Sequence, residues 1–214
     1  MDSILSPRDS RPPRQPSPDS ALCPKSLRPQ IRYYVVTVAP DVGQQWFSEE
    51  PVQDGGTSLD ARAFVDCARY DGPPLILKTI QHGRRFPINF GPFDMPVVTV
   101  ELGERLRTLA GGDVQLVPAR IDGVDSVRIL NVLTCCSCID ESRTIGTKWM
   151  PDDGRPDKVG NYRMIIKLFI DVERTGGSHV LRIHDWQTPL IISEYVSTHL
   201  TRQELEGVRL MPVT

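Results

Sequence analysis

A chain of 214 residues with 39% apolar and 24% charged residues has an ordinary globular composition, which excludes collagen-like, fibrous and wholly disordered classes. It is long enough for one large or two small domains and can bury a core without metal or disulfide support. Its formal net charge of −2, from 25 basic and 27 acidic residues, lacks the basic excess expected of a nucleic-acid binder.

Residues 1–30 read as a disordered tail. Pro7, Pro12, Pro13, Pro16, Pro18, Pro24 and Pro29 stand among Ser, Arg and Asp, leaving too little apolar surface to order the segment. The start Met1-Asp2-Ser3-Ile4-Leu5 has no basic, apolar-core pattern of a signal peptide, and no apolar run is long enough for a membrane helix. Without the tail, 20 basic and 24 acidic residues remain, a mildly acidic body. The expectation is a soluble, cytoplasmic domain over residues 31–214.

Folded structure is expected to begin with a strand at Ile31–Val38, rich in β-branched and aromatic residues and closed by Pro40. Trp46 and Phe47 read as core anchors, residues 59–69 as a short helix, and Leu75-Ile76-Leu77 as a strand after Gly72-Pro73-Pro74. Val127–Cys138 and Tyr162–Val172 carry the longest strand signals, and 150–160 is turn-like. His179–His184 alternates apolar with polar residues, as a strand with one solvated face would.

One pattern recurs. Pro96-Val97-Val98-Thr99-Val100-Glu101 leads into a helix over Leu102–Ala110, then Gly112 and the strand Val114–Val117. Pro189-Leu190-Ile191-Ile192-Ser193-Glu194 leads into Tyr195–Leu205, then Gly207 and Val208–Met211. Thr99 and Ser193 are placed to cap the helix starts, and Gly112 and Gly207 to end them with positive φ. The fold class expected is α+β, a mainly antiparallel sheet with a few short helices and a duplicated helix–strand unit.

Candidates for chemistry are few. Cys23, Cys67, Cys135, Cys136 and Cys138 are odd in number and irregular in spacing, which fits a reducing compartment rather than a disulfide framework. Cys135-Cys136-x-Cys138 lacks a second ligand pair for zinc, and on a strand Cys135 faces away from the other two. Ser178, His179, His184 and Asp185 do not make a nucleophile elbow, and the two histidines fall on opposite strand faces. The acid pairs Asp140-Glu141 and Asp152-Asp153 read as solvated or capping groups, with Asp140 starting a short helix, rather than as a cation site. No phosphate-binding loop occurs. No catalytic residue, metal or cofactor is assigned.

Three blocks, taken in order, resemble a family of immunity proteins from bacterial, notably myxobacterial, polymorphic toxin systems. The first is Ile31–Val36 with Trp46. The second runs from Asp113–Pro118 through Ile129–Leu133, Cys138–Glu141 and Asp153–Gly160 to Tyr162–Met164. The third is His179–Arg182, Trp186, Leu190–Glu194 and Gly207–Pro212. The resemblance implies a non-enzymatic protein that binds and blocks a cognate toxin domain stoichiometrically, without nucleic acid or membrane as partner. A nuclease is the target class a mildly acidic body would suit. Asp140, Glu141, Asp152, Asp153 and Asp157, with Trp149 and Trp186, are the candidate toxin-binding residues. Two alternatives stay open. One is a hydrolase in which His184 and Asp185 converge with an acid or cysteine; the other is a regulatory or self-associating module using the basic tail.

Overall fold

The computed structural model describes residues 31–184 and 186–214. The first strand, β1, spans Tyr33–Val38, and β2 (Phe47–Ser48) and β3 (Val52–Gln53) are short. Next come β4 (Leu75–Leu77), β5 (Thr79–Gln81), β6 (Ile88–Phe90) and β7 (Pro96–Val98). Helix α1 (Val100–Ala110) leads to β8 (Val114–Ile121) and β9 (Asp125–Val132). Beyond β10 (Cys135–Cys136), strands β11 (Ile145–Lys148) and β12 (Tyr162–Lys167) form an arm. The chain closes with β13 (Val180–Ile183), β14 (Trp186–Ser193), α2 (Glu194–His199) and β15 (Val208–Pro212).

Two mixed sheets carry the fold, ordered β3-β4-β8-β9-β7-β6 and β10-β13-β14-β1-β15. In the first, β7 and β8 are joined by α1 and both run antiparallel to β9, which lies between them. In the second, β14 and β15 are joined by α2 and both run antiparallel to β1 between them. The N-terminal strand therefore fills the slot that the hairpin strand β9 fills in the other sheet. Thr99 and Ser193 cap the two helices, their hydroxyls accepting from the amides of Leu102 and Val196.

Both sheets are covered on both faces, which explains the unbroken apolar runs in their strands. One core lies under the helices and joins the sheets: Leu102 and Leu106 of α1 and Val196 of α2 pack with Val98, Leu130, Leu190 and Ile192. A second covers the far face of the five-stranded sheet through Tyr33, Val35, Leu181 and Ile191 with Cys138 and Ile170. A third covers the far face of the six-stranded sheet, where Trp46 and Phe64 meet Val97, Val117 and Ile129. Asp113, just beyond α1, ties the sheets together. Its carboxylate accepts from the His179 amide at 2.6 Å, the Val180 amide at 3.2 Å and the Thr134 hydroxyl at 2.8 Å.

Several sequence expectations need correction. The positive φ at the end of α1 belongs to Gly111 (57°) rather than Gly112. Helix α2 stops at His199, well before Leu205, and Gly207 (φ 85°) serves the later turn into β15. Residues 59–69 form only a 3-10 turn at Ala61–Phe64, capped by Asp60. Val127–Cys138 divides into β9 and β10, and Tyr162–Val172 ends as a strand at Lys167. Asp140 caps a turn, accepting from the Ser142 amide and hydroxyl, with no helix behind it. The solvated face expected of His179–His184 is absent within β13: all four residues, Arg182 included, are buried. A helix–strand unit occurs twice, as α1 with β8 and as α2 with β15.

Candidate functional site

The arm is held by local bonds. The amide of Trp149 donates to the Asn161 carbonyl at 2.9 Å, and that of Gly160 to the Trp149 carbonyl at 3.0 Å. Between them, 3-10 turns at Pro151–Asp153 and Pro156–Lys158 use the prolines at their starts, where a missing N–H costs nothing. Asp153 accepts from the Met150 amide at 2.8 Å and from Arg163 at 3.2 Å. Arg163 in turn lies over the Trp149 ring, 4.8 Å from its centroid, with Lys158 at 5.9 Å, both within cation–π range.

The inner side of this arm faces a cavity of about 540 Å³, the size of a typical recognition pocket. Trp149, Arg155, Lys158 and Arg163 line it from the arm, and Trp186 and Gln187 from the start of β14. Arg62 and Phe93 close the opposite wall, the guanidinium 4.4 Å from the ring centroid. Phe93 is placed there by a left-handed backbone, φ 55°. Trp186 also borders a second, more apolar cavity of about 500 Å³, next to Val35, Ile166 and Met211.

The acids singled out from sequence support this wall. Asp157 forms a two-point pair with Arg155 at 2.8 and 3.1 Å, which holds the Asp157 carboxyl below its ordinary range. Glu141 braces the turn end of the arm's strands, accepting from Lys148 at 2.9 Å and the Tyr162 hydroxyl at 2.9 Å. The Lys148 bond, aided by the Tyr162 bond, lowers the Glu141 pKa against the opposing effect of burial. Asp140 is lowered by its bond to the Ser142 hydroxyl. Asp152 is exposed beside Asp153. Trp149 and Trp186 thus share one cavity, Asp153 and Asp157 orient its cations, Glu141 bonds Tyr162 of its lining, and Asp140 pairs with Arg143 outside it.

The arm is not an acidic patch. Residues 140–167 hold five acids against six bases, Arg143, Lys148, Arg155, Lys158, Arg163 and Lys167. Each of Asp140, Glu141, Asp153 and Asp157 has an ion-pair partner within this stretch. The basic residues were missed from sequence because they alternate with the acids. The signal that marks them is Trp149 followed by Arg155, Lys158 and Arg163 across a Pro/Gly-rich turn.

A model of the immunity protein family Imm11 matches residues 39–214. The chain belongs to the Imm11 immunity protein family. No curated protein matches it. The matched region starts one residue after β1, although that strand is an interior strand of the five-stranded sheet of this Imm11 chain, paired on both sides.

The residues weighed for catalysis have other uses. The His179 ring bonds to the Ser193 hydroxyl, the α2 cap, at 3.0 Å and packs on Tyr195. The Ser178 carbonyl accepts from the buried Tyr33 hydroxyl at 2.9 Å. His184 is exposed at the opposite end of β13, and Asp185 lies outside the described residues. Among the described residues no group of three or more His, Cys, Asp or Glu side chains gathers as a metal site, and no helix is long and apolar enough to cross a membrane. Cys136 and Cys138 are buried in the second core, whereas Cys135 is half-buried on the other side of its strand.

Proposed function

We propose that this Imm11 protein neutralises the toxin of a bacterial polymorphic toxin system, in the cytoplasm, by stoichiometric binding without catalysis. Family membership over residues 39–214 carries the immunity role. The immunity domain in this reading is residues 31–214, and the toxin is its protein partner in bacterial competition and kin discrimination. Docking takes place on the face of the arm, with Trp149 and Trp186 as anchors and Asp140, Glu141, Asp152, Asp153 and Asp157 as polar contacts. What supports this face is the coincidence of two tryptophans, a cavity of about 540 Å³ and a rim of alternating charges. Tryptophan and arginine are the residue types enriched at binding hot spots, and a stable interface needs about 800 Å² from each partner.

A nuclease was the target class suggested by the acidic body, through charge mimicry of its substrate. The five acids and six bases of the arm give no net negative surface there. Recognition on this face therefore rests on charge alternation and aromatic contact, whatever reaction the toxin performs. Calorimetric titration of the purified toxin domain tests the assignment. Trp149→Ala together with Arg155→Glu should weaken binding at least about tenfold, the scale of one hot-spot loss, with circular dichroism unchanged. Unchanged affinity would remove docking from the arm.

A further inference from the structure

The cavity on the inner side of the arm, about 540 Å³, is lined by cations whose partner acids stand outside it. Arg62, Arg155, Lys158 and Arg163 line it, against one acid, Asp66, among the described residues. Asp60, Asp157 and Asp153 pair with the three arginines without entering the lining. Each pair occupies only part of its guanidinium. Arg62 donates through Nη1 to Asp60 at 3.3 Å, Arg155 through Nε and Nη2 to Asp157, and Arg163 through Nη1 to Asp153 at 3.2 Å. Nε and Nη2 of Arg62 and Arg163, Nη1 of Arg155 and the Lys158 ammonium have no hydrogen-bond partner among the described residues.

Aromatic rings hold the same cations in place. Arg62 lies over Phe93, 4.4 Å from the ring centroid, and Arg163 over Trp149 at 4.8 Å, with Lys158 at 5.9 Å from the Trp149 ring. An arginine held over a ring still offers the N–H donors around its edge, and its planar fork is already shaped for a carboxylate. Phe93 is 46% exposed, and it and Asp94 adopt consecutive left-handed backbones, φ 55° and 56°, uncommon for residues with a Cβ. Such backbones persist only where the surroundings hold them, and they gather at binding sites. Here the turn carries an exposed phenyl ring to the cavity wall, with Arg62 over its face.

Resting on the docking of a toxin at the arm, we propose that the group the toxin inserts into this cavity is the carboxylate of an Asp or Glu on an exposed loop. The carboxylate accepts from unused N–H groups of Arg62, Arg155, Lys158 and Arg163, and the apolar atoms flanking it meet Trp149, Trp186 and Phe93. Charge sets the ligand class. Four cations, opposed by Asp66 in the lining and by three paired acids outside it, suit one planar, singly charged group better than a phosphate dianion. A basic or purely apolar segment in the cavity leaves these donors desolvated and unpaired. Recognition here runs opposite to mimicry of a nuclease substrate, because the immunity protein supplies the cations.

Two measurements on the full chain with the purified toxin domain separate carboxylate insertion from docking itself. A carbodiimide joins a carboxyl group to an amine in contact with it, so peptide mapping of the cross-linked complex should show Lys158 joined to an Asp or Glu of the toxin. In calorimetric titration Arg62→Glu should weaken binding at least about tenfold, the scale of one hot-spot loss, although Arg62 lies outside the arm and Trp149 and Arg155 stay in place. Binding that Trp149→Ala with Arg155→Glu weakens, but with no Lys158 cross-link to the toxin or with Arg62→Glu as tight as wild type, overturns the insertion and leaves docking on the arm standing. No complex, or one indifferent to Trp149→Ala with Arg155→Glu, overturns both. The wild-type cross-link map decides by itself if circular dichroism shows that Arg62→Glu fails to fold.

Discussion

Asp113 makes a quantitative test of how the two sheets are joined. Asp113→Ala removes one carboxylate that accepts from two β13-side amides, His179 and Val180, and from the Thr134 hydroxyl. Hydrogen bonds to a charged group contribute about 1.5–3 kcal/mol each. These three are part-buried and share one side chain, so they do not add in full. A combined loss of about 3 kcal/mol is expected, or about 6–12 °C in Tm for a domain of this size. Asp113→Asn gives a different result. Its amide oxygen can still accept from the two backbone amides, and its NH2 can donate to the Thr134 hydroxyl, which rotates to accept. Only the charge assistance goes, a loss of about 1 kcal/mol. Urea unfolding followed by tryptophan fluorescence measures both. Equal losses for the two variants, or less than about 1 kcal/mol for the alanine, would refute the reasoning.

Other variants probe separate parts of the fold. Gly207 combines φ 85° with a Cβ position 2.3 Å from the ring of Phe86, itself buried; Gly207→Ala should cost about 2–4 kcal/mol in thermal unfolding. The matched control Gly112→Ala, where a Cβ meets nothing within 4 Å, should change stability by less than about 0.5 kcal/mol. Tyr33→Phe removes the hydroxyl that bonds Thr175 at 3.0 Å and the Ser178 carbonyl at 2.9 Å, and a loss of about 1–2 kcal/mol in urea unfolding is expected. Glu141 is lowered by Lys148 and Tyr162, so its bonds favour the folded arm above the ordinary glutamate pKa and are lost as pH falls through the folded value. An NMR titration should place the Glu141 carboxyl below its ordinary value, and Lys148→Ala should move it back up.

Much of the framework was legible because it rests on local rules. The β-branched run at Tyr33–Val38, the caps Thr99 and Ser193, and α1 all follow from short-range pattern. What could not be read is tertiary. Nothing in Tyr33–Val38 says that it pairs with both β14 and β15. Arg182 sits in an alternating segment like any solvated strand residue, yet it is buried, with Nη1 donating to the carbonyls of Gln187 and Thr188. Helix α2 ends early because the chain beyond Leu200 turns, with Glu204 bonding the Thr201 amide at 2.7 Å. At the candidate site Trp149 and Trp186 were readable as anchors by residue type. The cavity between them depends on Phe93 and Arg62, brought in from a distant part of the chain.

The central claim is that the chain protects by binding a toxin directly. Its most direct test is co-expression with the product of the adjacent gene, scoring survival and recovering any complex through a tag on this chain. The account predicts that the neighbour kills alone and that the chain restores growth while a complex of fixed stoichiometry co-purifies. A harmless neighbour, or rescue with no complex, would contradict it.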